Sequence, residues 1–352
     1  MISSLKVIDA STVLAGPSVG MFFAELGASV IKVEHPVHAD VTRSWKLPSE
    51  DRDNPLSAYF SSINFGKSYM SLDLKNDSDH AEFLELIRDA DILITNFKKG
   101  DYPKFNITDE QLKAINPGLI HGRISGFGMN SDRVAYDLIL QAESGFMSMN
   151  GTQESGPVKM PVALIDVLAA HQLKEGILVA LLEKMRTGFG KTVHVSLYDA
   201  AVCSLVNQAS NYLMSGHIPG RIGSLHPTIA PYGEIFKTLD GSLITFAIGS
   251  DTHFIRLCHF LGLEQLPDDP KFISNQLRVF NRAELFGILQ KQVEVLHVVS
   301  VLEWMQQHGV PCGKIRNLGE VFEDTEAQAF IREEKIAGID TKRVSSIAFQ
   351  SW

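Results

Sequence analysis

The chain has few cysteines and no long apolar run. Cys203, Cys258 and Cys312 lie far apart, with neither CxxC spacing nor a Cys/His ligand pattern, so neither a zinc site nor a disulfide framework is predicted. No segment offers the roughly 18 apolar residues that a membrane helix needs. The beginning of the chain lacks the basic stretch and apolar run of a secretory signal. We expect a reduced, cytoplasmic protein without a metal or a membrane partner.

Basic residues are also in deficit. The chain has 32 Lys and Arg against 41 Asp and Glu, a formal net charge of −9, which disfavours nonspecific binding to nucleic acid. A polyanionic ligand therefore needs a local basic pocket. With 352 residues, 45% of them hydrophobic, the chain can bury a large core, and we expect one large domain with a smaller one.

Short runs rich in Val and Ile alternate with amphipathic stretches through the first half of the chain. The predicted strands cover residues 6–9, 30–33, 69–72, 92–95 and 119–125, and helices are predicted at 16–26 and 78–89. Because parallel strands need crossover connections, this order predicts an α/β fold with a doubly wound, mostly parallel sheet. Ligands are then expected at the carboxyl ends of the strands.

The second half of the chain predicts a smaller α+β domain. A long helical pattern at 164–186, a strand at 192–195 and a helix at 199–214 precede a Gly/Pro-rich stretch at 215–232. Beyond it, a hairpin is predicted around Asp240-Gly241, with helices at 251–261, 282–292 and 299–307. We therefore assign residues 1–215 to the large domain, 216–315 to the small domain and 316–352 to a return to the large domain.

Two features in the large domain suggest an anion site. The turn at residues 14–17 (LAGP) precedes a predicted helix whose free N–H groups can hold an anion or thiolate, although a tight turn without a ligand explains it equally. No GxGxxG motif accompanies it, which counts against a dinucleotide fingerprint. Five cations follow strand ends, and they are expected either to gather around a phosphate or to be solvated surface charges: Arg43, Lys75, Lys98, Lys99 and Lys104.

Asp166 lies among apolar neighbours at the start of the long predicted helix. Burying a carboxylate there requires compensation, by a helix N-cap geometry or by a catalytic need, and the residues alone favour the cap. His171 and Cys312 are more readily explained as packed or surface residues, so we assign them no catalytic role.

Several motifs, in the same order along nearly the whole chain, closely resemble the family III CoA transferases. This family includes formyl-CoA and carnitine CoA transferases and shares a fold with the α-methylacyl-CoA racemases. The motifs are LKVID (5–9), LAGP (14–17), LGASVIKVE (26–34), SLDLK (71–75), TNF (95–97), YD (136–137), QA (141–142), SG (144–145), GFGK (188–191), HPTIAPY (226–232) and GVP (309–311).

The resemblance implies roles for particular residues. Asp166 occupies the place of the family's catalytic carboxylate, which forms mixed anhydrides and an aspartyl-CoA thioester. The positions similar to the family's CoA-binding edge are Thr12, Val13, Ala15, His35, Lys75, Asn96, Phe97 and Lys104. Leu14, Tyr136, Asp137 and Gly249 are candidate substrate-site residues, and the loop at 249–251 is a candidate lid.

Three positions depart from the family pattern. Tyr136 stands where the racemases have their histidine base, so a two-base proton transfer lacks a partner and CoA transfer is favoured over racemisation. Leu14 replaces a polar amide of formyl-CoA transferase, and His35 replaces an arginine that meets the CoA nucleotide. Formate and oxalate are therefore not favoured as acceptors.

The resemblance thus predicts an acyl-CoA:carboxylate CoA-transferase with coenzyme A thioesters and carboxylic acids as substrates and no other cofactor. The alternatives are an acyl-CoA racemase or epimerase of the same fold and a CoA-binding protein without catalysis. The family also implies an interlocked homodimer.

Overall fold

A computed structural model describes residues 2–350, which divide into two compact units. The first unit comprises residues 2–149, 158–219 and 329–350, and the second comprises Asn150–Pro157 and Gly220–Gln328. Within the second unit, the Gly223 N–H donates to the Gly151 carbonyl at 2.8 Å. The second unit thus includes residues 150–157 and 316–328, which lie outside the predicted small domain of 216–315, whereas residues 216–219 belong to the first unit.

The first unit contains a six-stranded parallel sheet. Its strands are β1 (Lys6–Asp9), β2 (Ser29–Glu34), β3 (Ser68–Ser71), β4 (Ile92–Thr95), β5 (Ile120–Ser125) and β6 (Thr192–Ser196). They are arranged in the order β3-β2-β1-β4-β5-β6, and every neighbouring pair is parallel. The predicted doubly wound α/β fold is confirmed, with the order of strands reversing between β1 and β4.

Helices flank this sheet. They are α1 (Ala15–Glu25), α2 (Ala58–Ser61), α3 (Asp77–Asp89), α4 (Asp101–Lys104), α5 (Asp109–Ile115), α6 (Asp137–Glu143), α7 (Phe146–Met149), α8 (Leu164–Thr187), α9 (Leu197–Cys203) and α10 (Val206–Ser215), with short 3-10 helices at Ile2–Ser4 and Val41–Ser44. α8 ends at Gly188, whose left-handed φ of 77° closes the helix without a side-chain clash. The predicted helix at 199–214 is wrong in one respect: it breaks into α9 and α10, and Val206 at the break has a positive φ of 42°.

The second unit is built on an antiparallel sheet. Its elements are β7 (Tyr232–Lys237), β8 (Leu243–Ala247), α11 (Asp251–Phe260), a 3-10 helix (Leu266–Asp268), α12 (Asn275–Phe280), α13 (Arg282–Val293), α14 (Val298–Gln307), β9 (Cys312–Lys314), α15 (Leu318–Val321) and α16 (Thr325–Gln328). The predicted hairpin turn is present: Thr238 N–H donates to the Ser242 carbonyl at 3.0 Å, and Gly241 has a φ of 79°.

The chain then returns to the first unit as an antiparallel hairpin, β10 (Ile331–Ile336) and β11 (Ile339–Val344). Ile336 packs with Leu56 and Phe60 in a small apolar cluster. Arg343 and Glu25 of α1 form a buried ion pair. These contacts attach residues 331–344 to the first unit although more than three hundred residues separate Glu25 from Arg343 along the chain.

No single helix within residues 2–350 is long and apolar enough to cross a membrane. In this part of the chain, α13 and α14 are the only two helices that are together long and apolar enough, and the pair is bent by 110°. Over the same residues, no group of three or more His, Cys, Asp or Glu side chains has the arrangement of a metal site.

Candidate active site

A cavity of about 250 Å³ opens at the carboxyl edge of the parallel sheet, where the order of strands reverses. Its lining comes from the segments that follow β1, β4 and β5 and from the end of β6. The residues that matter for its chemistry are Thr12, Val13, Asn96, Phe97, Lys98, Lys99, Tyr102, Arg123, Ser125, Asp132, Arg133, Tyr136 and His194. Thr12, Val13, Asn96, Phe97 and Tyr136, all singled out from the sequence, thus meet at one place.

Asn96 joins the loops that follow β1 and β4. Its side-chain amide donates to the Thr12 carbonyl at 2.9 Å, and its side-chain oxygen accepts from the Thr12 N–H at 3.1 Å. The next residue, Val13, has a φ of 73°, a left-handed conformation that is unfavourable for a β-branched residue. The Val13 N–H donates to the Asp40 carboxylate at 3.2 Å, and that carboxylate pairs with the fully buried Lys32 at 3.0 Å. A buried ion pair therefore supports the strained turn that borders the cavity.

A second buried ion pair lies beneath the same turn. Lys67 contacts the Asp9 carboxylate at 2.7 Å and donates to the Pro17 carbonyl at 2.8 Å, which attaches the start of α1 to β1. Burial opposes the charge of Lys67 and lowers its pKa to about 8. Gly16 lies close to Ser11, whose hydroxyl donates a hydrogen bond to the Asp9 carboxylate. A Cβ added at Gly16 would overlap this hydroxyl. Close backbone packing therefore explains why glycine is required in the LAGP turn.

The cavity is basic although the protein is acidic. Lys98, Lys99, Arg123 and Arg133 line it, against the single carboxylate of Asp132 among the described lining residues. Of the five cations predicted to lie around a phosphate, Lys98 and Lys99 line the cavity. Lys75 and Lys104 are not part of this lining, and Arg43 pairs with Glu34 at 2.6 Å while its guanidinium stacks on the Phe60 ring at 3.8 Å.

The remaining predicted CoA-binding residues lie around the same edge of the sheet. Ala15 is buried in the core, and Leu14, the predicted substrate-site residue before it, precedes α1 without a side-chain cap. His35 follows β2, and its Nε2 lies 3.5 Å from the Asp73 carboxylate, which also accepts from the Lys75 N–H at 3.0 Å. His35 and Lys75 are therefore brought together near the ends of β2 and β3, outside the lining of the cavity.

Asp166 lies in the first turn of α8, but it is not the N-cap, because that position belongs to Ala163. Its residue is 7% exposed, and its carboxylate accepts no hydrogen bond from any residue of the described range 2–350. Asp137 at the start of α6 caps α8 instead: its carboxylate accepts from the Ile165 N–H at 2.7 Å. The helix-cap explanation of Asp166 is therefore wrong, and its buried carboxylate is left without that compensation.

Burial, and then the negative charge of Asp137, raise the pKa of Asp166 to about 7. The other Asp137 oxygen accepts from Gln141 Nε2 at 2.6 Å, and Gln141 Oε1 accepts from the Met160 N–H at 2.8 Å. The two carboxylates therefore differ sharply in environment. Asp137 accepts two hydrogen bonds, whereas the Asp166 carboxylate is buried and accepts none from residues 2–350.

Sequence reasoning did not identify Tyr59 of α2 as a site residue. Burial, and then the charges of Asp166 and Asp137, raise the pKa of Tyr59 to about 12, so its hydroxyl stays protonated. The Tyr59 ring meets Trp45 edge to face at 5.2 Å. Because Tyr59 is remote from Asp166 in sequence, only the tertiary structure shows that it belongs to this environment.

Gly249 belongs to the second unit, between β8 and α11. Its N–H donates to the Ala247 carbonyl at 3.0 Å, and the next residue, Ser250, caps α11 by accepting from the His253 N–H at 3.2 Å. An added Cβ at Gly249 would meet no atom within 4 Å. The loop is therefore open around this glycine.

The comparisons with known proteins agree with this architecture. Residues 2–348 match the model of CoA-transferase family III. The chain is 38% identical to the succinate–glutarate CoA-transferase of Agrobacterium fabrum, over 93% of this chain and 83% of that protein. It is 35% identical to the acetyl-CoA:oxalate CoA-transferase of Acetobacter aceti, over 90% of this chain and 81% of that protein.

A solved structure gives the same result. The crystal structure of a CAIB/BAIF family protein from Brucella suis matches with a TM-score of 0.85 and 35% identity, over 99% of this chain and 92% of that one. The chain therefore belongs to CoA-transferase family III. It is an enzyme that acts on an acyl-CoA and a carboxylate.

Proposed function

We propose that the protein transfers CoA between carboxylic acids with Asp166 as the covalent nucleophile, and that its substrates are dicarboxylic acids. The observation that supports the nucleophile is the buried Asp166 carboxylate, which accepts no hydrogen bond from the described residues and whose pKa is raised to about 7. A poorly solvated carboxylate is more basic and more nucleophilic than one in water. The relative from Agrobacterium fabrum supports the substrate class, because succinate and glutarate are both dicarboxylates.

The proposed reaction has two symmetric halves. The ionised Asp166 attacks the thioester carbonyl of the donor acyl-CoA, the C–S bond breaks, and a mixed anhydride and a CoA thiolate form. The thiolate then attacks the Asp166 carbonyl of the anhydride, which gives an aspartyl-CoA thioester and releases the donor carboxylate. The acceptor carboxylate attacks this thioester and repeats the two steps in reverse. No net proton is taken up, so the reaction needs no separate general base.

The same mechanism favours transfer over racemisation. A racemase needs a base on each face of the α carbon, and Tyr136 stands where the resemblance places one of those bases. Tyr136 lines the cavity, whereas Asp166 is not among the cavity's lining residues.

The test is covalent trapping on Asp166. We expect that incubation of the protein with succinyl-CoA gives a peptide with CoA attached at Asp166, detected by mass spectrometry, and that hydroxylamine converts it to a hydroxamate. Asp166→Asn is expected to lose transfer and adduct together, while Asp53→Asn, an exposed surface change, keeps both. An adduct at another residue, or transfer that survives in Asp166→Asn, would contradict the proposal.

We also propose a homodimer in the cytoplasm. Large apolar side chains of α10 are exposed, among them Leu213 and Met214 at 78% and 88%. Such a patch is typical of an interface between subunits. The cysteines Cys203, Cys258 and Cys312 are free, which agrees with a reducing compartment.

A further inference from the structure

The face of the sheet formed by β5 and β6 is polar where a helix-covered parallel sheet is usually apolar. His121, Arg123 and Ser125 alternate along β5 and point to one side. Their neighbours in register on β6 include Thr192, opposite His121, and His194, opposite Arg123. The polar row runs towards the carboxyl edge of the sheet, where Arg123, Ser125 and His194 line the cavity. Packing alone does not explain this row.

The Arg123 side chain is positioned by contacts with Tyr102 and Asp109. Its guanidinium lies over the Tyr102 ring at 3.8 Å and 3.5 Å from the Asp109 carboxylate, and its side chain is only 13% exposed. Asp109 accepts from the Thr192 hydroxyl at 2.6 Å. Apart from its ion pair with Asp109, the Arg123 guanidinium has no polar partner among residues 2–350, so the N–H groups that do not face Asp109 are available to a ligand in the cavity.

Ser125 and His194 lie beside this guanidinium. The Ser125 hydroxyl is 2.8 Å from His194 Nε2 and accepts from the Gly128 N–H at 3.1 Å. Burial, and then the positive charge of Arg123, lower the pKa of His194, so the imidazole is neutral near neutral pH. The other charged groups that line the cavity are Lys98, Lys99, Arg133 and Asp132. Of these, Arg133 is engaged by Glu143 at 2.6 Å.

We propose that Arg123, Ser125 and His194 form a specificity-determining anion subsite for a second anionic group of the acyl-CoA substrate. That group is either the terminal carboxylate of a dicarboxylic acyl chain or a phosphate of CoA. A guanidinium fork matches two oxygens of either group. The hydrogen-bonded pair of Ser125 and neutral His194 adds one further donor, which is the hydroxyl or the imidazole according to the tautomer. The proposal rests on the proposed function, because it assumes that an acyl-CoA occupies this cavity.

Equilibrium binding to the full chain separates the two sources. The Asp166→Asn background prevents turnover, and the probes are succinyl-CoA, butyryl-CoA, which lacks the terminal carboxylate, and S-butyryl-pantetheine, which also lacks the phosphates. If the subsite binds the terminal carboxylate, Arg123→Gln weakens the binding of succinyl-CoA by roughly 10-fold to 100-fold and leaves the binding of the other two probes unchanged. If a phosphate is held, both CoA thioesters lose affinity and the pantetheine thioester does not.

Equal losses for all three probes, or no loss for any, would overturn the subsite. Ser125→Ala is a second variant that keeps all charges, and it is expected to show the same probe dependence with a smaller loss. Arg88→Gln, on the exposed surface of α3, is the matched control and should bind every probe as the parent does. Failure of the Asp166 mechanism is recognised separately, because it removes the covalent adduct from the chain that retains Asp166 and leaves these binding constants unchanged.

Discussion

Replacing Asp166 by Asn should stabilise the protein at alkaline pH while it removes the proposed nucleophile. The native state raises the pKa of Asp166 from 3.8 to about 7, mainly through burial and secondly through Asp137. An acid whose pKa is raised on folding binds more protons in the native state than in the unfolded state, so its ionisation opposes folding. The resulting loss in the free energy of unfolding grows as the pH rises from 3.8 towards 7 and is constant above that range.

The size of the effect follows from the shift in pKa. Each tenfold change in the ionisation constant corresponds to about 1.36 kcal/mol, so the ionised Asp166 carboxylate destabilises the fold by roughly 4 kcal/mol at about pH 8. At about pH 5 the native carboxyl is protonated and the unfolded one is mostly ionised, and the cost falls to roughly 2 kcal/mol. Asp166→Asn has nearly the same shape and no charge. Its gain in the free energy of unfolding should therefore be larger at the higher pH.

Urea unfolding of the parent and Asp166→Asn at both pH values measures this difference directly. Asp53→Asn is the matched control, because Asp53 is exposed and the same change of chemistry there should alter stability by less than about 0.5 kcal/mol. A gain that is the same at both pH values, or an Asp166→Asn chain that is less stable than the parent at about pH 8, would refute the reasoning.

Two further predictions concern the fold and the assembly. Gly190→Ala should lower the free energy of unfolding by at least about 3 kcal/mol, because the added Cβ would overlap the Leu119 carbonyl oxygen. The control is Gly287→Ala in α13, where the added Cβ meets open space. This change should be neutral or stabilising by up to about 1 kcal/mol. Thermal or urea unfolding of the two variants checks this, and equal stabilities would show that residue 190 has room for a side chain. Leu213→Glu should shift the proposed dimer towards monomer in light scattering at micromolar concentration, and an unchanged mass would exclude this part of α10 from the interface.

Much of the fold was predictable because its signals are local. The predicted strands at 6–9 and 92–95 agree with β1 and β4, and the long helix at 164–186 corresponds to α8. Hydrophobic periodicity and a terminating glycine are properties of neighbouring residues, so they can be read without tertiary information. The break between α9 and α10 was missed because an amphipathic pattern does not reveal a single positive φ at Val206.

The cavity was predictable only in part. Strand order in a doubly wound sheet places Thr12 and Asn96 at the same edge, and the resemblance to a family pointed to the same residues. Which cations join them depends on side-chain partners. Lys98 and Lys99 line the cavity, whereas Glu34 and Phe60 hold Arg43 elsewhere.

The class of fold, the order of its elements and the family to which the chain belongs could all be predicted without the structure, because periodicity and ordered motifs are encoded along the chain. The burial and the raised pKa of Asp166, in contrast, depend on the tertiary structure. Its carboxylate lies in a helix that Asp137 caps, under conditions of burial and charge that raise its pKa to about 7. Desolvation and Coulomb interactions depend on distance in space, and Asp137 and Asp166 become neighbours only when α6 packs on α8.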